Sequence, residues 1–103
     1  MAKFVRVGRA DEIPAGEKKI FDLDGYGVVV VNLGGEYYAI EDVCTHDGGP
    51  LGEGELENGH IICPRHGARF DVRTGDALTM PAFEPVAKYE VRVENGDLLI
   101  ESY

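Results

Sequence analysis

At 103 residues the chain has room for one compact domain, residues 1–103, since a core of this size buries about two-thirds of the surface its unfolded chain exposes. With 44% hydrophobic and 28% charged residues, disorder over the whole length is excluded. A formal charge of −9 and a pI near 4.6 argue against nucleic acid and anionic membrane, which attract basic surfaces, and leave a basic protein partner or plain solubility as the reason for the acidity.

The chain opens with Lys3-Phe4-Val5-Arg6-Val7, which reads as a strand, and Arg9 to Pro14 allows at most one short helical turn, stopped by the proline. The β-branched run Tyr26-Gly27-Val28-Val29-Val30-Val31-Asn32 predicts a buried strand. Gly34-Gly35 then turns it into a hairpin partner at Glu36-Tyr37-Tyr38-Ala39-Ile40, because two glycines accept the positive φ angles of tight hairpin turns. Asn58-Gly59 and Asn95-Gly96 repeat that chemistry. Before the second of them Tyr89, Val91 and Val93 alternate with charged residues, and Leu98-Leu99-Ile100 returns as the partner strand. No long helical periodicity, internal repeat or linker interrupts this pattern, so the expectation is an all-β, antiparallel protein.

No apolar run approaches the roughly 20 residues needed to span a bilayer. The first residues form no apolar signal segment, so the chain reads as cytoplasmic. In that setting its two cysteines are ligands or redox groups rather than a structural bridge. They lie in two stretches that resist a regular reading, 44–54 and 63–68, both broken by glycine and proline and therefore loops. Cys44-Thr45-His46 is followed, after sixteen residues, by Cys63-Pro64-Arg65-His66. Thiolates are soft donors and imidazoles neutral ones, and two of each suit iron or zinc. A zinc site of two cysteines and two histidines pairs its cysteines in one knuckle and its histidines on one helix, and neither pairing occurs here. The spacing fits a binuclear site better, in which the cysteines hold one iron and the histidines the other. A zinc-stabilised interaction domain is the competing reading.

This Cys-x-His…Cys-x-x-His pattern resembles the Rieske motif, and Thr45, Pro64 and Gly67 match it too. The likeness to Rieske ferredoxins extends through Leu51-Gly52-Glu53-Gly54, residues 63–71 and Thr74-Gly75-Asp76-Ala77-Leu78. It implies one [2Fe–2S] cluster held by Cys44, His46, Cys63 and His66, in two stacked antiparallel sheets. The cluster-binding subdomain would consist of two ligand loops and a third, proline-containing loop at Met80-Pro81-Ala82. The histidines would lie nearest solvent, so that electrons pass through His46 and His66. In respiratory Rieske proteins each ligand loop has an extra cysteine, and the two form a disulfide. Gly49 and Arg65 stand at those positions here. Those high-potential proteins also place a serine and a tyrosine where this chain has Ala68 and Phe70. Without the two hydroxyl donors to cluster sulfur, the low end of the roughly −150 to +300 mV Rieske span is expected.

The remaining candidates have plainer roles: His60 is a solvated turn residue, Leu51 and Pro81 shield the site, and Phe70 and Tyr89 belong to the core. Glu53, Glu55 and Glu57 form a solvated edge or a docking surface. No nucleophile elbow, phosphate loop, nucleotide motif or mononuclear iron site is present, so substrate chemistry falls to a partner. The resemblance implies a monomeric one-electron carrier between an NAD(P)H-dependent flavoprotein reductase and a terminal oxygenase. The alternative is a small subunit resembling that of NAD(P)H nitrite reductase.

Overall fold

The computed structural model describes residues 3–23, 25–44, 49–65, 67–80 and 84–102. Ten strands follow in order: β1 Lys3–Arg9, β2 Lys18–Leu23, β3 Tyr26–Leu33, β4 Glu36–Glu41, β5 Leu56–Glu57, β6 His60–Ile62, β7 Arg69–Asp71, β8 Lys88–Tyr89, β9 Val91–Glu94 and β10 Asp97–Ser102. A 3₁₀ turn, Ala10–Glu12, precedes Pro14. All pairing among the described residues is antiparallel. The described residues form three sheets, ordered β1-β10-β9, β2-β3-β4-β8 and β5-β6-β7: the first two share a core, as the stacked sheets of the resemblance do, and the third belongs to the loop-bearing subdomain.

The middle sheet carries the design. Successive side chains of a strand point to opposite faces, yet Val28, Val29, Val30 and Val31 of β3 are all fully buried. Val28 and Val30 join Ala39, Leu98 and Ile100 in one core, shared with the first sheet. Val29 and Val31 join Ile40, Ile61, Phe70 and Val72 in a second core, shared with the third sheet. A strand covered on both faces reads as a continuous apolar run rather than an alternation, which is why this segment is so uniformly valine. Each such side chain contributes about 1.5–3 kcal/mol on burial.

The three predicted turns form. Asn58 and Asn95 take positive φ, 52° and 53°, followed by Gly59 at 79° and Gly96 at 82°, which is the two-residue hairpin geometry that favours Asn-Gly. The alternating stretch 88–94 departs from expectation, because it is two strands. Lys88–Tyr89 pairs with β4 in the middle sheet, and after Glu90 the chain pairs with β10 in the first. A strand that changes sheets makes a corner of the sandwich. Tyr89 and Val91 pack at the edge of the first core, while Val93, near the outer end of an edge strand, stays 47% exposed.

Asn32 is the one buried polar side chain among the described residues. Its Nδ2 donates to the Ile13 carbonyl at 2.8 Å and to the Tyr37 hydroxyl at 3.3 Å, and its Oδ1 accepts from Gly35 N at 2.7 Å. The Tyr37 hydroxyl in turn donates to the Ala10 carbonyl at 2.9 Å. One amide therefore ties the β3–β4 turn to the segment after β1. Replacing it with a near-isosteric apolar side chain leaves buried partners unsatisfied, so Asn32→Leu is expected to lower stability by about 1–3 kcal/mol, read as a lower urea midpoint at unchanged slope.

Candidate metal centre

Two loops leave the second core and are closed in the same way. Cys44 follows the end of β4, and its amide donates to the Gly49 carbonyl at 2.7 Å. Cys63 follows β6, and its amide donates to the Ala68 carbonyl, also at 2.7 Å. A further bond from Gly67 N to the Cys63 carbonyl, 3.0 Å, tightens the second loop, where Gly67 takes φ +76°, strained for any residue with a Cβ. The Cys44–Gly49 and Cys63–Ala68 bonds each span five residues. His46 and His66, like Thr45, lie outside the described residues, but in sequence they fall inside the two spans these bonds close.

Both thiols point inward. Cys44 is 0% and Cys63 1% exposed, neither forms a disulfide, and both belong to the core cluster that contains Leu51, Ala68 and Phe70. A buried cysteine alone behaves as a small hydrophobe. Two of them brought into one cluster from loops on different sheets form a thiolate pair suited to iron. A doubly positive iron–sulfur core bound by two thiolates carries no net charge, so its transfer into these apolar surroundings avoids the cost of an unpaired buried charge. The donor chemistry and the setting therefore fit the group implied by the ligand spacing.

The loops are braced by close backbone packing. Gly54 N donates to the Leu51 carbonyl and Ile62 N to the Glu55 carbonyl, each at 3.0 Å, and a Cβ at Gly54 would strike the Ile62 carbonyl. Residues 51–55 thus lie directly on the strand that delivers Cys63. A groove of about 450 Å³ opens beside Cys63, between Glu53, Gly54 and Glu55 on one wall and Ile62, Pro64 and Gly67 on the other. Glu53 and Glu55 are accordingly nearer the site than their sequence positions suggest, while Glu57 pairs with Arg69 at 3.3 Å. Leu51, Ala68 and Phe70 are fully buried, as shielding and core roles require. His60 is not a turn residue: it opens β6 and is half-buried, in register with Glu57 and Asp71.

Of the third loop, Pro81 and Ala82 lie outside the described residues. The approach to it is fixed by an Ala77–Phe70 bridge, by Leu78 N donating to the Arg69 carbonyl at 2.8 Å, and by Arg69 N donating to Thr79 Oγ1 at 2.9 Å. Met80, 66% exposed, ends this segment. One residue absent from the sequence-level candidates also belongs here: Asp42 Oδ1 accepts from Leu51 N at 2.8 Å and from Gly52 N at 2.5 Å. Its only local signal is an acid two residues before Cys44.

Gly54 offers a direct check on the bracing. Gly54→Ala is expected to cost about 1–3 kcal/mol through overpacking and to lower the iron bound per chain, measured by metal analysis of freshly purified protein.

The family model of the Rieske [2Fe–2S] domain matches residues 3–90. The 3-phenylpropionate/cinnamic acid dioxygenase ferredoxin subunit of Shigella flexneri serotype 5b is 41% identical over 91 residues, covering 87% of this chain and 85% of that protein. Among solved structures, the ferredoxin of carbazole 1,9a-dioxygenase from Nocardioides aromaticivorans superposes with a TM-score of 0.90 at 38% identity, covering 95% of this chain and 96% of that one. The ferredoxin in a complex of reduced oxygenase and oxidised ferredoxin of carbazole 1,9a-dioxygenase gives 0.89 at 33%, covering 94% and 91%. These matches decide between iron–sulfur and zinc: the chain belongs to the Rieske family and carries one [2Fe–2S] cluster.

Proposed function

We propose that this chain is the soluble, monomeric, single-domain electron carrier of an aromatic-ring dioxygenase system, with Cys44 and Cys63 on one iron of its cluster and His46 and His66 on the other. It takes electrons from an NAD(P)H-dependent flavoprotein reductase and hands them one at a time to a terminal oxygenase. The observation that carries this reading is the delivery of both buried cysteines into one apolar cluster by two loops of matching closure. The similarity to dioxygenase ferredoxin subunits over most of the chain favours this system over a nitrite reductase complex. Among the described residues no helix is long and apolar enough to cross a membrane, in keeping with a cytoplasmic carrier.

Bound between the loops, the cluster supplies a reversible one-electron step. The chain supplies the rest. The Cys44 and Cys63 thiolates balance the positive core, and the buried side chains of Leu51, Ala68 and Phe70 keep water from the cysteine side. Substrate chemistry remains with the oxygenase. The acidic surface, −9 overall, steers basic partners toward the carrier.

Electron paramagnetic resonance of the dithionite-reduced protein tests the ligand set. A signal with average g clearly below that of an all-cysteine cluster is expected, and a brown sample that stays silent would overturn it. Ala68 and Phe70 also set an expectation for the potential, because neither side chain can donate to sulfur. The potential should lie at the low end of the Rieske span, below about +100 mV, and Ala68→Ser combined with Phe70→Tyr should raise it in a voltammetric titration. An unchanged potential would show that these side chains do not approach the sulfurs.

A further inference from the structure

The two ligand loops share an inner closure and differ in the outer one. Outside the Cys63–Ala68 bond the flanking residues run straight into a β ladder, with Ile62 paired to Arg69 and Ile61 to Phe70. That ladder fixes both arms of the second loop through backbone bonds alone. The first loop has no such ladder. Its leading arm is β4, but its trailing arm, residues 49–54, belongs to no strand, so no ladder continues outward from the Cys44–Gly49 bond.

A single carboxylate takes that place. Asp42 Oδ1 accepts from both Leu51 N and Gly52 N, at 2.8 and 2.5 Å, which joins the end of β4 to the trailing arm and encloses the inner Cys44–Gly49 bond. Asp42 is itself fixed on the other side: its amide donates to the Gly27 carbonyl at 2.9 Å. A Cβ at Gly27 would come within 3.1 Å of the Asp42 Cβ and 3.3 Å of Oδ2, so the absence of a side chain at 27 leaves room for the carboxylate beside β3. Gly52 is equally constrained, since a Cβ there would meet the Ile20 side chain at 2.6 Å. The bare backbone at 52 lets the arm approach the middle sheet closely enough to donate.

We propose that Asp42 is the positioning residue of the first ligand loop, its one oxygen doing through two backbone N–H groups what the β6–β7 ladder does for the second. The assignment rests on the reading of Cys44 and His46 as ligands. Asp42 acts through the loop and not on the metal: it fixes where Leu51 stands against Cys44 in the core and keeps the two arms of the loop from parting. Accepting geometry is the property that matters, so a neutral side chain with the same oxygen retains the function.

The test compares the holoprotein with Asp42→Ala and Asp42→Asn. In Asp42→Ala the amides of Leu51 and Gly52 should exchange with deuterium roughly tenfold faster or more, while the β3 amides keep their protection. Iron should be released to a chelator about 10–100-fold faster, as for the loss of other groups that support metal ligands. The resonance lines of the reduced form should broaden or shift. Asp42→Asn should keep the wild-type g values and exchange more slowly than the alanine variant. Wild-type exchange and g values in Asp42→Ala would overturn the proposal, and so would an asparagine variant as impaired as the alanine one. Should Asp42→Ala fail to fold, Gly27→Ala crowds the carboxylate without removing it: faster exchange at Leu51 and Gly52 supports the proposal, and unchanged exchange overturns it. A wild-type protein lacking the mixed-ligand signal overturns the ligand reading instead, whereas a wild-type signal with an unaltered Asp42→Ala overturns this assignment alone.

Discussion

When both faces of a strand are covered, every residue along it has to satisfy packing on one side or the other, and β3 is such a strand. Val28 and Val30 serve the core under the first sheet, and Val29 and Val31 serve the core that holds Cys44 and Cys63. The sandwich and the loop-bearing subdomain therefore have one wall in common. Cys44 leaves β4, the hydrogen-bonded neighbour of β3, and Leu51 and Phe70 join Val29 and Val31 in the same core cluster. A shift of the middle sheet would be felt at once in both cores, because close-packed interiors transmit displacement rather than absorb it. Binding loops gain precision when they are mounted on rigid elements in this way.

What could be read from the sequence divides along the range of the interaction involved. The Gly34-Gly35, Asn58-Gly59 and Asn95-Gly96 turns are local chemistry, requiring two adjacent residues at positive φ, and all three form. The cluster type was equally legible, since two cysteines and two histidines at that spacing restrict the metal chemistry, and both cysteines do meet in one core cluster. By contrast β2 was missed, because Lys18-Lys19-Ile20-Phe21 exposes Ile20 and shows no clean alternation. The corner at Glu90 was illegible for a different reason: the apolar alternation of residues 88–94 continues across it, and nothing local records that the pairing partner changes from β4 to β10. The third sheet was hidden in short strands of two and three residues, below the length at which a period of two can be recognised.

Asp42 shows the same limit at the site. Its partners lie nine and ten residues away, across a loop whose closure depends on the Cys44–Gly49 bond and on close contact between residue 52 and Ile20. No pattern of residue types encodes that meeting. His60 is the converse case, a residue type suggestive of metal that the fold instead sets in β6, in register with Glu57 and Asp71.

Loop closure also bears on the potential. Each backbone amide has one proton to donate. Those of Cys44 and Cys63 are directed to the carbonyls of Gly49 and Ala68, so neither is available to a cluster sulfur. Hydrogen bonds to sulfur withdraw electron density and favour the reduced form, and each missing one lowers the potential. The bonds that give the loops their shape thus act in the same direction as the methyl of Ala68 and the unsubstituted ring of Phe70. The low potential expected from Ala68 and Phe70 would then rest on how the loops are held as well as on which side chains surround them. It suits a carrier that must pass electrons onward to a second redox protein.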